Sequence, residues 1–434
     1  MTGWWSSSLE PVRVPAGRVV HGFVRPPSSK SLTHRAYAIA LLARRSLVVE
    51  RPLASEDTGL FLEILEQLGY GLRRQGTRLE IDPPRQFPSE ADLQCGNAGT
   101  LFRFVVALAA TLPTRARIDG SPRLRERPAG PLVGALRALG ARIVEEGAPG
   151  CAPLVVHGGA LAGGRVALDA SASSQFLSAL LLAGQRATGP VEIEVPALAS
   201  APYVDLTLEM IARFGGRAER LAPDRYLTRP SELSGGTVEV ESDFSAVAYP
   251  AAAAALAGGA IRISGVRRES KQGDRRFLDL LAAMGAKVQW SVDGVAVERG
   301  ELSAVAADLG DMPDQVPTLA ALAPFARGTT RIENVAHLRI KESDRLAAMT
   351  AELRRAGAHV TELPDGLVIP GIWAAGEPPH EPVTIDPHDD HRVAMAMALV
   401  ALRRPNLAIA DPACVGKSYP DYWRDLASWL GETP

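Results

Sequence analysis

The chain has 434 residues, enough for two sizeable hydrophobic cores. With 46% hydrophobic and 22% charged residues its composition is that of a folded globular protein, and a net charge of -2 excludes a general nucleic-acid or membrane-surface binder. Three cysteines, Cys95, Cys151 and Cys414, lie far apart with no CxxC pair, so neither a disulfide framework nor a zinc site is expected.

In chain order, Met1 to Pro11 is polar with two Trp and lacks the basic start and apolar core of a signal peptide. Val19 to Pro27 reads as extended, and Pro26-Pro27 disfavours helix there. Ser28-Ser29-Lys30-Ser31-Leu32-Thr33-His34-Arg35 then opens an apolar helix, expected to start near Ser31 with that hydroxyl free to cap it. Lys30, Ser31 and Arg35 thereby surround a helix N-terminus, where free N–H groups and the dipole favour an anion. The longest apolar run, Ala246 to Ile261, carries Pro250 and Gly258-Gly259 and is too short to span a bilayer; it reads as a buried helix. A cytoplasmic, soluble protein is expected.

One phrase recurs six times: an amphipathic helix closing on an apolar residue and a glycine, followed in most copies by a pair of strands. The glycines are Gly69, Gly140, Gly215, Gly285, Gly357 and Gly431, spaced 71, 75, 70, 72 and 74 residues apart. Each has the composition of a left-handed helix stop, and Ala286 to Trp290 with Gly294 to Glu298 reads as a hairpin around Val292-Asp293-Gly294. Upstream in each copy lies a more apolar helix, beginning near Ser31, Asn97, Ser173, Asp243, Asp314 and Asp389. The pattern is an α/β protein of six repeated βα-type units. The sixth copy ends at its glycine, so its closing strands must come from elsewhere, and the strands before Pro26 are the expected donors. That makes one domain discontinuous, residues 1–26 plus 242–434, and leaves 27–241 as the second.

The openings of the buried helices carry the chemistry. Ser, Asn and Asp there are ordinary caps, but Arg35, Arg103, Arg392 and Arg345 oppose the helix dipole and point to bound anions. Helices pointing the same way would gather these ends in one interdomain cleft. Pro122 to Pro128 adds a dense basic turn, and Lys341-Glu342-Ser343-Asp344-Arg345 a polar cluster at a helix start. Gly416-Lys417-Ser418 lacks the upstream glycine of a nucleotide loop, which excludes an ATPase reading.

Pro27 to Arg35, Gly96-Asn97-Ala98-Gly99-Thr100, Arg123-Leu124-Arg125-Glu126-Arg127-Pro128, Ser173-Ser174-Gln175-Phe176, Arg339 to Leu346, Asp390-His391-Arg392 and Lys417 to Tyr422 together closely resemble the EPSP synthase (3-phosphoshikimate 1-carboxyvinyltransferase) family. The resemblance runs in order from about Val19 to the C-terminus. It implies two similar domains of six βαβαββ units, an inside-out α/β barrel arrangement, closing on shikimate 3-phosphate and phosphoenolpyruvate. The implied reaction is transfer of the enolpyruvyl group to the 5-hydroxyl, by addition at C2 of phosphoenolpyruvate, protonation at C3 and loss of phosphate. Two substrates carrying phosphate and carboxylate bring roughly five or six negative charges, which demands cations and helix N-termini. The hydroxyl proton and the methylene proton demand acid–base groups.

By the resemblance, Ser31 and Arg35 bind the shikimate carboxylate, and Ser173, Ser174 and Ser200 its phosphate, with Gln175 and Tyr203 nearby. Asp314 and Lys341 contact its ring hydroxyls, Asp314 being the base at the 5-hydroxyl. Lys30, Asn97, Gly99, Arg127, Gln175, Arg345, Arg392 and Lys417 bind phosphoenolpyruvate. Glu342 is the proton donor to the methylene, assisted by Lys30, which also borders shikimate 3-phosphate. No metal, cofactor, nucleic acid or membrane is implied, and a monomer is expected. The family is the target of glyphosate, which occupies the phosphoenolpyruvate site, where Gly99 leaves the space it needs.

The sequence departs from the family pattern at Ser28, His34, His337 and Phe104, where Gly, Asn, Asn and Pro are common. His34 reads as a satisfied helix-side residue; at His337 the family's contact with the shikimate phosphate is in question. The sister transferases acting on UDP-N-acetylglucosamine typically have Lys-Asn at Lys30-Ser31 and a reactive loop Cys, and no Cys lies between Cys95 and Cys151. Retention of Lys30, Asp314 and Glu342 opposes a non-catalytic relative.

Overall fold

The computed structural model describes residues 10–432; the polar stretch weighed above as a signal peptide lies largely outside them. The chain forms two compact lobes, which we number in chain order of their first long helix. Lobe A is Ser28–Glu241; lobe B is the described part of Met1–Pro27 and Ser242–Pro434. Each lobe has its own hydrophobic core.

All six repeat glycines are left-handed, with φ between 78° and 114°. In every copy the residue after the glycine donates its N–H to a carbonyl five positions back: Tyr70 to Leu65, Ala141 to Leu136, Gly216 to Ile211, Ala286 to Leu281, Ala358 to Leu353 and Glu432 to Ala427. A residue with a Cβ would be strained in that conformation, which is why the stop is glycine each time.

The described residues form six sheets, five of four strands and one of three. In the second repeat Glu90–Gln94 runs parallel to Arg115–Asp119, which pairs antiparallel with Leu154–His157, itself antiparallel to Arg142–Glu145. The third and fifth repeats build the same sheet from their own strands. The other three borrow. Leu47–Glu50 of the first repeat takes its parallel partner from Gly236–Glu239, at the far end of lobe A. Gly259–Ser264 of the fourth takes Val20–Val24, and Leu407–Ile409 of the sixth takes Val12–Arg13 as an antiparallel partner. The N-terminal strands therefore do not both close the sixth sheet: Val12–Arg13 does, whereas Val20–Val24 opens the fourth. The first and fourth repeats thus exchange parallel strands: Gly236–Glu239, just before the fourth buried helix, pairs with the first repeat, and Val20–Val24, just before the first buried helix, pairs with the fourth.

The buried helices are Lys30–Ala43, Gly99–Ala109 and Gln175–Ala183 in lobe A, and Phe244–Ala257, Val316–Leu322 and His391–Ala401 in lobe B. They are apolar nearly all round, as helices enclosed by others must be. The first begins one residue earlier than the sequence suggested, and Ser29 rather than Ser31 caps it, accepting from Leu32 N at 3.4 Å. Ser29 holds the last extended backbone (φ -63°, ψ 120°), so Ser31 already lies inside the helix.

Candidate active site

In lobe A, Lys30 is the first helical residue and its Nζ lies 2.9 Å from Asp57 Oδ2, with Asp57 almost fully buried. His34, one turn on, is completely buried, with Nε2 3.3 Å from the Asp57 carbonyl and Nδ1 without a hydrogen-bond partner among the described residues. Burial, reinforced by Lys30 and Arg35 and opposed by Asp57, lowers its pKa to about 4. His34 is thus neutral and only half satisfied.

Arg35 lies in the second helical turn, not the first. It donates to Thr207 Oγ1 (2.9 Å), to Ser31 Oγ and O (both 2.8 Å) and to the Tyr203 carbonyl (2.6 Å), joining Lys30–Ala43 to Pro202–Arg213. Its guanidinium, 1% exposed, also stands 5.7 Å from the ring centroid of Phe104. Phe104 is therefore the apolar platform under Arg35, inside an unbroken helix. No carboxylate is among Arg35's partners in the described residues, and burial lowers its pKa to about 10.

The second cluster of lobe A is built on the start of Gly99–Ala109. Arg127, 2% exposed, donates to the Asn97 carbonyl at 2.9 Å, and Nε has no partner among the described residues. It fills the space beside Gly99: a Cβ there would stand 2.5 Å from Arg127 Nη2. Arg125 fixes the basic turn by a two-point grip on Asp119, at 2.9 and 2.7 Å. Gln175 Oε1 accepts from Arg103, and Gln175 Nε2 donates to Thr100 Oγ1 at 2.8 Å. Ser173, Ser174 and Ser200 are buried, and Ser200 is left-handed (φ 55°) at the entry to Pro202–Arg213.

In lobe B the charges are already compensated. Arg345, the first residue of Arg345–Arg355, is 1% exposed and reaches three carboxylates: Asp314 Oδ1, Glu342 Oε2 and Asp390 Oδ2, each at 2.8 Å. Arg392 takes the other oxygen of Asp314 at 2.7 Å. Asp390 also caps His391–Ala401 by accepting from Arg392 N at 3.0 Å. Arg345 and Arg392, read from the sequence as cations for an anion, each hold carboxylates of this network. Burial would raise the pKa of Asp314, but Arg392, Arg345 and Lys341 hold it down to about 2. His337, desolvated and close to Lys341, is lowered to about 4. Lys341 is half-buried and Lys417 buried at the end of the Pro412–Lys417 turn. Among the described residues no group of three or more His, Cys, Asp and Glu could hold a metal ion, and no helix is long and apolar enough to cross a membrane.

The EPSP synthase (3-phosphoshikimate 1-carboxyvinyltransferase) family matches this chain over residues 14–426. This chain belongs to that family. A 3-phosphoshikimate 1-carboxyvinyltransferase of Syntrophobacter fumaroxidans is 47% identical over 410 residues, covering 92% of this chain and 94% of that protein. One from Nitrosomonas europaea is 41% identical over 97% of this chain and 99% of its own length. A solved EPSP synthase from Acinetobacter baumannii superposes with a TM-score of 0.79 at 26% identity, over 97% of this chain and 98% of that one. Family membership turns two lobes of six repeated sheets, with polar clusters at the starts of their buried helices, into candidate substrate sites.

Within lobe A the structure joins Ser31 to Arg35 and Tyr203, Asn97 and Gly99 to Arg127, and Lys30 to Asp57; within lobe B it joins Asp314, Glu342, Arg345 and Arg392. Asp57, Thr207 and the carboxylate of Asp390 are parts of these clusters to which sequence reasoning gave no role. Asp57 reads as an ordinary acidic residue in a first helical turn, and Thr207 as a core residue. Only Asp390, inside a quoted motif, carried a signal.

Proposed function

We propose that the protein transfers the enolpyruvyl group of phosphoenolpyruvate to the 5-hydroxyl of shikimate 3-phosphate, releasing phosphate. The observation that carries the assignment of roles is Asp314, a half-buried carboxylate gripped on its two oxygens by Arg345 and Arg392, with Glu342 on the same Arg345 guanidinium. Addition of the hydroxyl to C2 of phosphoenolpyruvate needs a base at oxygen and an acid at C3, and the cluster offers two carboxylates on one cation.

In this reading Asp314 takes the 5-hydroxyl proton as the C–O bond forms, and Glu342 protonates C3, with Lys30 assisting. The tetrahedral intermediate then expels phosphate with loss of a C3 proton, giving the enol ether. Ser31 and Arg35 take the shikimate carboxylate; Ser173, Ser174 and Ser200 its phosphate, with Gln175 and Tyr203 beside them; Lys341 a ring hydroxyl. Arg127, Arg345, Arg392 and Lys417, with Lys30, Asn97, Gly99 and Gln175, take phosphoenolpyruvate. Support for the anion roles of lobe A is that Arg35 and Arg127 are buried without a carboxylate partner among the described residues.

The test is phosphate release from purified protein given both substrates, with each omitted in turn and UDP-N-acetylglucosamine run as an alternative acceptor. Release requiring shikimate 3-phosphate and phosphoenolpyruvate together is expected. Release with the UDP-sugar instead, or none while both ligands still raise the unfolding temperature, would overturn the reading.

A further inference from the structure

The guanidinium of Arg35 is fixed along one edge. Nε donates to Thr207 Oγ1 at 2.9 Å, and Nη2 to the Tyr203 carbonyl at 2.6 Å and to Ser178 Oγ at 3.5 Å. Nε and Nη2 share an edge of the fork, so two helices, Gln175–Ala183 and Pro202–Arg213, take up that edge while Phe104 stands under the group. Nη1 meets only Ser31 among the described residues, its O and Oγ both at 2.8 Å. Nη1 and the half-buried Ser31 hydroxyl are therefore what remains for an arriving carboxylate.

Guanidinium nitrogens only donate, which fixes the direction of the hydroxyls behind them. Thr207 Oγ1 accepts from Nε and passes its own proton to Ser178 Oγ, 2.9 Å away, or to the Tyr203 carbonyl at 3.1 Å. A helical threonine commonly bonds the carbonyl four residues back; this one also receives a charged donor. Thr207 and Ser178 are both completely buried, on helices whose other buried residues include Val204, Ile211, Leu181 and Leu182. Val at 207 would fill the same volume without a polar atom. It would also leave Arg35 Nε as a buried donor with nothing to meet, and the guanidinium could then turn about its Nη2 bond, away from Ser31.

We propose that Thr207 is a positioning residue of the shikimate 3-phosphate site: its hydroxyl locks one edge of Arg35, so that Nη1 and Ser31 Oγ stand side by side for the substrate carboxylate. The inference rests on the transferase reading above, in which Ser31 and Arg35 take that group. The hydrogen bonds of the Thr207 hydroxyl run to Arg35, Ser178 and Tyr203 and reach no residue assigned to phosphoenolpyruvate. The lock therefore acts on one substrate and, within that substrate, on one group. A threonine that merely fills the core would show neither selectivity.

The experiment is titration calorimetry of wild type, Thr207→Val and Thr207→Ser with shikimate 3-phosphate and with its carboxamide analogue, together with KM for phosphoenolpyruvate at saturating shikimate 3-phosphate. Thr207→Val is expected to raise Kd for shikimate 3-phosphate about 10- to 30-fold, with KM for phosphoenolpyruvate within about twofold. Thr207→Ser, which keeps the hydroxyl, is expected to bind within about threefold of wild type. For the uncharged carboxamide the loss in Thr207→Val is expected to shrink below about threefold. A Kd for shikimate 3-phosphate within twofold of wild type in Thr207→Val would overturn the proposal, as would equal losses for acid and amide, or a Ser variant as weak as the Val variant. Should Thr207→Val not fold, Thr207→Ala also leaves Nε bare and is read by the same outcomes. No binding of shikimate 3-phosphate to wild type would overturn the transferase reading itself, a result distinct from these.

Discussion

Arg345 Nε lies 2.8 Å from Asp390 Oδ2, and neither side chain is more than 1% exposed. Burial alone would lower the guanidinium's pKa, but Asp390, Glu342 and Asp314 hold it above the usual arginine range. Asp390 does two things with one carboxylate: Oδ2 takes Arg345 and the Ser343 hydroxyl, while Oδ1 caps the helix that carries Arg392. Breaking a buried pair from one side leaves an uncompensated charge and costs about 3–5 kcal/mol. Asp390→Asn, which removes the charge, is expected to destabilise lobe B by that amount, read as a fall in the urea midpoint. An unchanged midpoint would mean that Asp314 and Glu342 suffice to compensate Arg345.

Glu342 is a less enclosed partner of Arg345 than Asp390, with 10% of its side chain exposed. Glu342→Gln keeps the size of the group and removes its transferable proton. Turnover is expected to fall by about two to four orders of magnitude, with both KM values within about threefold. Near-wild-type turnover would remove Glu342 from the proton-transfer role.

Gly99 needs no unusual backbone, since it is the first residue of an ordinary helix; what it needs is room. A methyl group there would stand 2.5–2.9 Å from three atoms of the Arg127 guanidinium. Arg127 is the far end of a flexible side chain, so the protein should still fold while the guanidinium moves off the Asn97 carbonyl. Gly99→Ala is expected to raise KM for phosphoenolpyruvate about tenfold, on the order of 1.4 kcal/mol, with KM for shikimate 3-phosphate within twofold. Equal rises in both would mean that the helix start itself had shifted.

The parts of this protein that were legible in the sequence are the local ones. A helix stop that needs φ near +90° can be written only as Gly, so six stops spelled out six repeats. The exchange of strands was not legible, because Val20–Val24 and Gly236–Glu239 would show the same composition whichever sheet they joined; partner choice is decided by what each lobe lacks. Nor could the cap at Ser29 be told from one at Ser31, since both are serines and only the backbone angle separates them. The clusters at the helix starts were found as cations, because Arg against a dipole is conspicuous. Their counter-charges were missed, because Asp57 and Asp390 at helix starts look like residues that merely suit the dipole.

That distinction separates the two lobes energetically. Arg345 and Arg392 are paid for by carboxylates in lobe B, whereas among the described residues the buried Arg127 in lobe A has no carboxylate, only the Asn97 carbonyl. A charge buried without a counter-charge costs the free protein stability and adds much to the binding of an arriving anion. Arg127→Met is expected to leave the unfolding temperature at or above that of wild type, while weakening phosphoenolpyruvate at least tenfold. A large loss of stability with little loss of affinity would place Arg127 in the scaffold instead.

His34 gives the folded state a defined acid limit. Burial lowers its pKa to about 4 from an ordinary 6.5, so between those values the unfolded chain binds a proton that the folded chain refuses. Its contribution is complete above about pH 6.5 and is lost as pH falls toward 4, by on the order of 3 kcal/mol at most. His337, lowered to a similar degree by burial and Lys341, adds to the same slope. His34→Asn cannot titrate and can still donate to the Asp57 carbonyl that His34 Nε2 faces. The variant is expected to match wild type in urea at pH 7.5 and to lose stability less steeply from pH 6.5 to 4.5. Parallel curves over that range would show that the acid limit is set by His337 and other groups.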